Sequence, residues 1–126
     1  MKVRQILIVD DDVDFREGLQ MVLSDYCGSV LTADNDARAA GLAASLAPDV
    51  ALIDPGEGGL DTARQLKTLA PQTRVILLPL FDRYRAASRE IGADGYVLKG
   101  CPTEELLAAI NGPAGEAEPG EPGKEG

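Results

Sequence analysis

The chain has 126 residues, 44% hydrophobic and 26% charged, with 21 Asp and Glu against 12 Lys and Arg. That length supports one domain with its own core rather than two, and no apolar run approaches the ~20 residues that span a bilayer. The tail from Gly112 holds four glutamates and one lysine, so the rest still carries 17 acids against 11 bases, a balance that argues against direct nucleic-acid binding.

The N-terminus, MKVRQILIVDDD, meets acid too early for a signal peptide, and a cytoplasmic location is the default expectation. Ile6–Val9 reads as a buried strand running straight into Asp10, Asp11 and Asp12. Asp14–Ser24 follows as a helix with Phe15, Leu19, Val22 and Leu23 on one stripe. Ser29–Ala33 is a second strand, and the alanine-rich Asp36–Leu46 a helix that ends before Pro48. Val50–Ile53 is a strand delivering Asp54, and the helix Leu60–Leu69 stops before Pro71. Val75–Leu78 is the fourth strand, with Asp82–Ile91 a helix closed by Gly92. Tyr96–Leu98 leads into Lys99, and Thr103–Ile110 opens with Glu104 and Glu105, acids that suit a helix N-terminus. From Gly112 the run GPAGEAEPGEPGKEG has no apolar residue larger than Ala. Residues 112–126 therefore read as a disordered acidic tail or linker behind a folded domain of residues 1–111. Cys27 and Cys101, with no His in the chain, make neither a zinc site nor a disulfide framework, and reduced thiols are expected.

Five strand–helix units predict an α/β fold: a doubly wound, five-stranded parallel sheet with helices on both faces. In such folds ligands sit beyond the carboxyl ends of the strands. That rule brings Asp10, Asp11, Asp54 and Lys99 to one edge of the sheet. Carboxylates crowded there can share a hard divalent ion such as Mg²⁺. A lysine opposite them suits a phosphoryl group as a point charge. An Asp beside both can act as a nucleophile that forms an aspartyl-phosphate.

ILIVDDD followed by FREGL, then PDVALID, then LD seven residues after Asp54, then GADGYVLK and TEELLAAI, stand in order along the chain. With these motifs the chain resembles the receiver (CheY-like) domain of bacterial two-component response regulators over roughly residues 3–111. The resemblance implies the flavodoxin/CheY-like fold and a signalling role. Asp54 would accept a phosphoryl group from a sensor histidine kinase or phosphotransfer protein, in a Mg²⁺-dependent reaction. Asp10, Asp11 and Asp54 would hold the ion with the backbone carbonyl of Gly56, and Lys99 would grip the phosphoryl oxygens. Tyr96 would be an aromatic switch that turns inward on activation, changing contacts with an output domain, a downstream protein or a second copy. The domain would be no enzyme beyond its own phosphorylation and dephosphorylation. Asp12 matches no metal position and reads as a loop or helix-capping acid.

One position departs from the family. A Thr or Ser usually ends the fourth strand and hydrogen-bonds the phosphoryl group; here the stretch is VILLPLFD. Pro79 takes that place if the following segment is about two residues short, whereas counting back from Lys99 without a gap gives Leu77. Neither has a hydroxyl, and a lost charge-assisted hydrogen bond is worth about 1.5–3 kcal/mol. After Asp54 the chain reads PGEGGLDTA, which places Pro55, three glycines and Glu57 beside the acceptor, and Gly100 follows the lysine where many relatives have proline. These departures motivate an alternative, a pseudo-receiver that serves as a phosphorylation-independent interaction module. The D-x-D of Asp10 and Asp12 also fits haloacid-dehalogenase-like phosphatases, but those need a further acidic pair after the lysine strand and usually a longer chain, and after Lys99 the only acids are Glu104, Glu105 and the tail glutamates. GEGG lacks the GK[ST] of a phosphate-cradling loop, and Arg83, Arg85 and Arg89 read as a solvated face of the fourth helix.

Overall fold

The computed structural model describes residues 3–34 and 36–112; apart from Gly112, the expected tail lies outside the described residues. Ten elements alternate: β1 (Gln5–Val9), α1 (Val13–Leu23), β2 (Ser29–Ala33), α2 (Asp36–Leu46), β3 (Val50–Ile53), α3 (Gly59–Leu69), β4 (Arg74–Leu77), α4 (Arg85–Ile91), β5 (Gly95–Tyr96) and α5 (Thr103–Asn111). The strands form one parallel sheet in the order β2-β1-β3-β4-β5. This is the doubly wound (βα)5 architecture that the alternation of short apolar runs and helices implied. Because the chain winds outward from β1 to β2 and then returns to β3, the crevice between the carboxyl ends of β1 and β3 is the switch point where ligands sit in such sheets.

Strand periodicity divides the core and places the site. Ile6, Ile8, Val50, Leu52, Ile76, Leu78 and Val97 pack with Leu19 and Leu23 of α1 and Leu106 and Ile110 of α5. Leu7, Val9, Ala51, Ile53, Val75 and Leu77 pack on the opposite face with α2 and α3, through Ala39, Ala43, Ala63 and Leu66. Successive side chains alternate between faces, so Asp10 and Asp54 continue the first set as their strands run out, and Lys99 does so after Val97.

The amino-terminal edge of the sheet is pinned separately. The Asp49 carboxylate accepts the Arg4 and Gln5 amides at 2.8 and 3.0 Å, the Asp94 carboxylate takes the Val75 amide at 2.8 Å, and the buried Thr73 hydroxyl donates to the Pro48 carbonyl at 2.7 Å.

Several boundaries differ from the expectation. β5 covers Gly95–Tyr96 rather than Tyr96–Leu98, yet its pairing continues, with the Val97 amide on the Leu77 carbonyl at 3.0 Å and the Lys99 amide on Pro79 at 2.8 Å. α4 starts at Arg85, not Asp82, because Asp82 and Tyr84 are engaged with the Tyr96 hydroxyl instead of a first helical turn. Arg83 therefore precedes the helix, although all three arginines are exposed as expected. Val22 leaves the buried stripe at 42% exposure: Phe15, Leu19 and Leu23 recur every fourth residue, and Val22 lies about 100° round the helix from Leu23.

Candidate functional site

The carboxyl ends of β1, β3 and β4 and the segment after β5 are stitched side by side. The Asp10 amide donates to Ala33, Asp54 to Val9, Leu78 to Ile53 and Lys99 to Pro79, all between 2.8 and 3.1 Å. That ladder holds Asp10, Asp54 and Lys99 together. The Lys99 Nζ lies 2.9 Å from Asp10 Oδ2 and 2.8 Å from Asp54 Oδ2. Its ammonium also stands over the Phe15 ring, 4.4 Å from the centroid, a favourable placement for a desolvated cation. Burial by itself would lower the Lys99 pKa, but hydrogen bonds and charge from Asp54 and Asp10 outweigh it and hold the ammonium above its ordinary 10.5.

Each carboxylate's second oxygen is also used. Asp10 Oδ1 accepts the Asp12 amide at 2.9 Å, and Asp54 Oδ1 the Gly56 amide at 2.9 Å. Asp12 caps α1, its Oδ1 taking the Phe15 amide at 3.1 Å. The Arg16 guanidinium donates to the Asp10 carbonyl at 2.7 Å. Asp11 is exposed and lines an open cleft of about 60 Å³ with Asp10, Asp34, Asp54, Gly56 and Glu57.

The loop after Asp54 is tightly built. The first turn of α3 lies against the acceptor's backbone: a Cβ on Gly59 would stand 1.7 Å from the Asp54 carbonyl oxygen, so only glycine fits. Pro55 is buried, and Glu57 adopts φ 49°, a left-handed conformation costly for a residue with a side chain.

The donor set is chemically suited to Mg²⁺: oxygen ligands only, in a surplus of negative charge. Among the described residues no three acidic side chains gather closely enough to hold an ion alone. Any ion there must complete its shell with backbone and water, and the Gly56 carbonyl, which accepts the Gly59 amide at 2.9 Å, retains a second lone pair.

The Lys99 amide donates to the Pro79 carbonyl at 2.8 Å, which sets Pro79 beside the end of the lysine strand. Leu77 pairs with Tyr96, three residues before the lysine, and is fully buried in the core on the α2 and α3 face. Tyr96 is half-buried, and its hydroxyl donates to Asp82 Oδ1 at 3.0 Å while accepting the Tyr84 amide at 3.1 Å. The Arg85 guanidinium lies 4.8 Å from the Tyr96 ring centroid. Burial raises the Tyr96 pKa above 10.0; the Asp82 hydrogen bond and charge add to that, and the Tyr84 amide partly opposes it. Sequence reasoning missed Phe15 beside the lysine, Asp34 on the cleft and Tyr84. The spacing of Phe15 one helical turn after Asp11 was a usable signal; Tyr84, in an irregular connection, gave none.

A parallel α/β module with a partly buried lysine clamped between strand-end carboxylates is a class found among signalling proteins, and comparison with known proteins makes the assignment specific. The sequence model of the response regulator receiver domain matches residues 6–111. The oxygen regulatory protein NreC of Staphylococcus aureus is 35% identical over 114 residues, covering 84% of this chain and 52% of that protein. The chain thus spans about half the length of these relatives. Among solved structures, a Burkholderia pseudomallei response regulator with a phosphorylated aspartic acid, calcium ion and citrate aligns with TM-score 0.80 at 28% identity, over 90% of this chain and 70% of that one. The response regulator TrrA of Thermotoga maritima, in complex with Mg²⁺ and BeF, aligns with TM-score 0.76 at 31% identity, over 86% of this chain and 96% of that one. The chain belongs to the response regulator receiver domain family of two-component signalling. No helix among the described residues is long and apolar enough to cross a membrane.

Proposed function

We propose that this receiver domain takes a phosphoryl group onto Asp54 from a kinase phosphohistidine, with Mg²⁺ bound by Asp10, Asp11, Asp54 and the Gly56 carbonyl. The observation that carries the reading is Lys99, its side chain only 10% exposed, held at 2.9 and 2.8 Å between Asp10 and Asp54. A carboxylate oxygen of Asp54 forms the new O–P bond as the P–N bond to the donor histidine breaks and its electron pair returns to the imidazole. Lys99, already in contact, offsets charge on the phosphoryl oxygens as they approach. The bound ion supplies further neutralisation of that charge. Its own phosphorylation and dephosphorylation are the only chemistry assigned to the domain, and the consequence is altered contact with an output domain, a downstream protein or a second copy.

A second reading is favoured by a specific observation. The Tyr96 hydroxyl is satisfied at the surface by Asp82 and the Tyr84 amide, and Pro79 offers nothing to draw it inward. Turning the ring costs two hydrogen bonds, about 0.5–1.5 kcal/mol each. That supports a domain whose partner surface at α4 and β5 works without the switch. Mg²⁺ titration followed by acetyl phosphate labelling separates the readings: Mg²⁺-dependent acyl-phosphate supports the phosphoacceptor, and a metal-binding-deficient, unlabelled protein supports the scaffold.

A further inference from the structure

We infer that the Tyr84 hydroxyl is a phosphoryl-contacting donor of the Asp54 site, a role resting on the phosphoacceptor reading above. Tyr84 sits at the N-cap of α4, and its backbone amide is fixed by the Tyr96 hydroxyl at 3.1 Å. Its side chain is half-buried and reaches back over the loop that follows the acceptor. A Cβ built on Gly56 would stand 3.4 Å from Asp54 Oδ1 and 3.8 Å from the Tyr84 hydroxyl, so the phenol and the carboxylate oxygen border one small space beside Gly56.

The supply of donors around Asp54 gives that proximity its meaning. An incoming phosphoryl group brings oxygens that each seek a cation or a donor. Lys99 serves the Oδ2 side, and the Gly56 amide faces Oδ1. Pro79 has neither an amide hydrogen nor a hydroxyl. Thr62, the hydroxyl that lines the acidic cleft, already donates to the Gly58 carbonyl at 3.3 Å. The remaining acidic neighbours, Asp11, Asp34 and Glu57, repel rather than donate. The Tyr84 hydroxyl has no hydrogen-bond partner among the described residues. A phenol with a free proton, on a ring held by its own backbone and bordering the acceptor oxygen, is therefore the side-chain hydroxyl placed to meet a phosphoryl oxygen. Glycine at 56 keeps the space between them open, because any side chain there would enter it.

The test compares wild type with Tyr84→Phe, which keeps the ring and removes only the hydroxyl. Labelling of Asp54 by acetyl phosphate with saturating Mg²⁺ is followed in time, and beryllofluoride affinity is measured in parallel. The expected variant has an unchanged urea midpoint and Mg²⁺ affinity, labels about tenfold more slowly, and binds beryllofluoride correspondingly more weakly. Equal labelling and equal beryllofluoride affinity in the two proteins overturn the role of Tyr84 and leave the phosphoacceptor reading intact. A wild type that is never labelled overturns that reading, and this inference with it.

Discussion

Replacing Lys99 with Met probes the electrostatic centre of the site. The substitution keeps an unbranched apolar stem against Phe15 and deletes the ammonium between two carboxylates. Side-chain exposures are 10% for Lys99, 4% for Asp10 and 26% for Asp54. Removing one partner from a buried ion pair costs about 3–5 kcal/mol. The partial exposure of Asp54 lets water reach one side, so the lower end, about 3 kcal/mol, is expected. In urea that is a midpoint shift of about 1–3 M, which leaves a domain of ordinary stability folded. Two further readings separate this cause from simple loss of packing. The variant gains more stability from added Mg²⁺ than wild type does, since a divalent ion replaces the missing charge and binding only to the native state stabilises it. The gap between the proteins also narrows above pH 10.5: the raised Lys99 pKa makes its contribution full below that value and lost as pH climbs through the folded one. A variant within about 0.5 kcal/mol of wild type at neutral pH, with no extra gain from Mg²⁺, would refute the clamp.

Gly59→Ala forces a methyl to within 1.7 Å of the Asp54 carbonyl; the backbone must yield, and a loss of about 3 kcal/mol or more in urea unfolding is expected. Asp82→Ala frees the Tyr96 hydroxyl, so its titration, followed by ultraviolet difference against Tyr96→Phe, moves down toward 10.0 because the carboxylate's raising contributions vanish. An unchanged midpoint would place Tyr96 away from Asp82 in solution. Cys101 carries a thiol pushed above its ordinary 9.0 by burial and by Glu105, so a thiol reagent at mildly alkaline pH modifies it more slowly than an unstructured cysteine peptide; an equal rate contradicts that environment.

Strand–helix alternation and proline and glycine stops made the fold legible. Ser29–Ala33, Val50–Ile53 and Asp36–Leu46 coincide with the observed elements to the residue, because each is bounded by a residue that cannot continue it or by a charged strand end. The strand-end rule also brought Asp10, Asp54 and Lys99 together without coordinates. The region from Pro79 to Arg85 was not legible. Its conformation depends on a tertiary bond, the Tyr84 amide to the Tyr96 hydroxyl across 12 residues, which no local propensity encodes. Counting along the chain left Pro79 and Leu77 as alternatives for the same reason: the pairing of Leu77 with Tyr96 and the Lys99 amide on the Pro79 carbonyl are tertiary facts that spacing does not carry. Tyr84 was invisible because its relation to Asp54 passes through the loop glycine at 56 rather than through sequence spacing.

The most direct test of the account is to locate the phosphoryl group. The protein is incubated with acetyl phosphate, with Mg²⁺ or with EDTA, and the acyl-phosphate is mapped by peptide mass spectrometry in wild type and Asp54→Ala. One phosphoryl group is expected on the peptide containing Asp54, present only with Mg²⁺ and absent from the variant. Labelling that persists in Asp54→Ala, or a wild type left unmodified under both conditions, would contradict it.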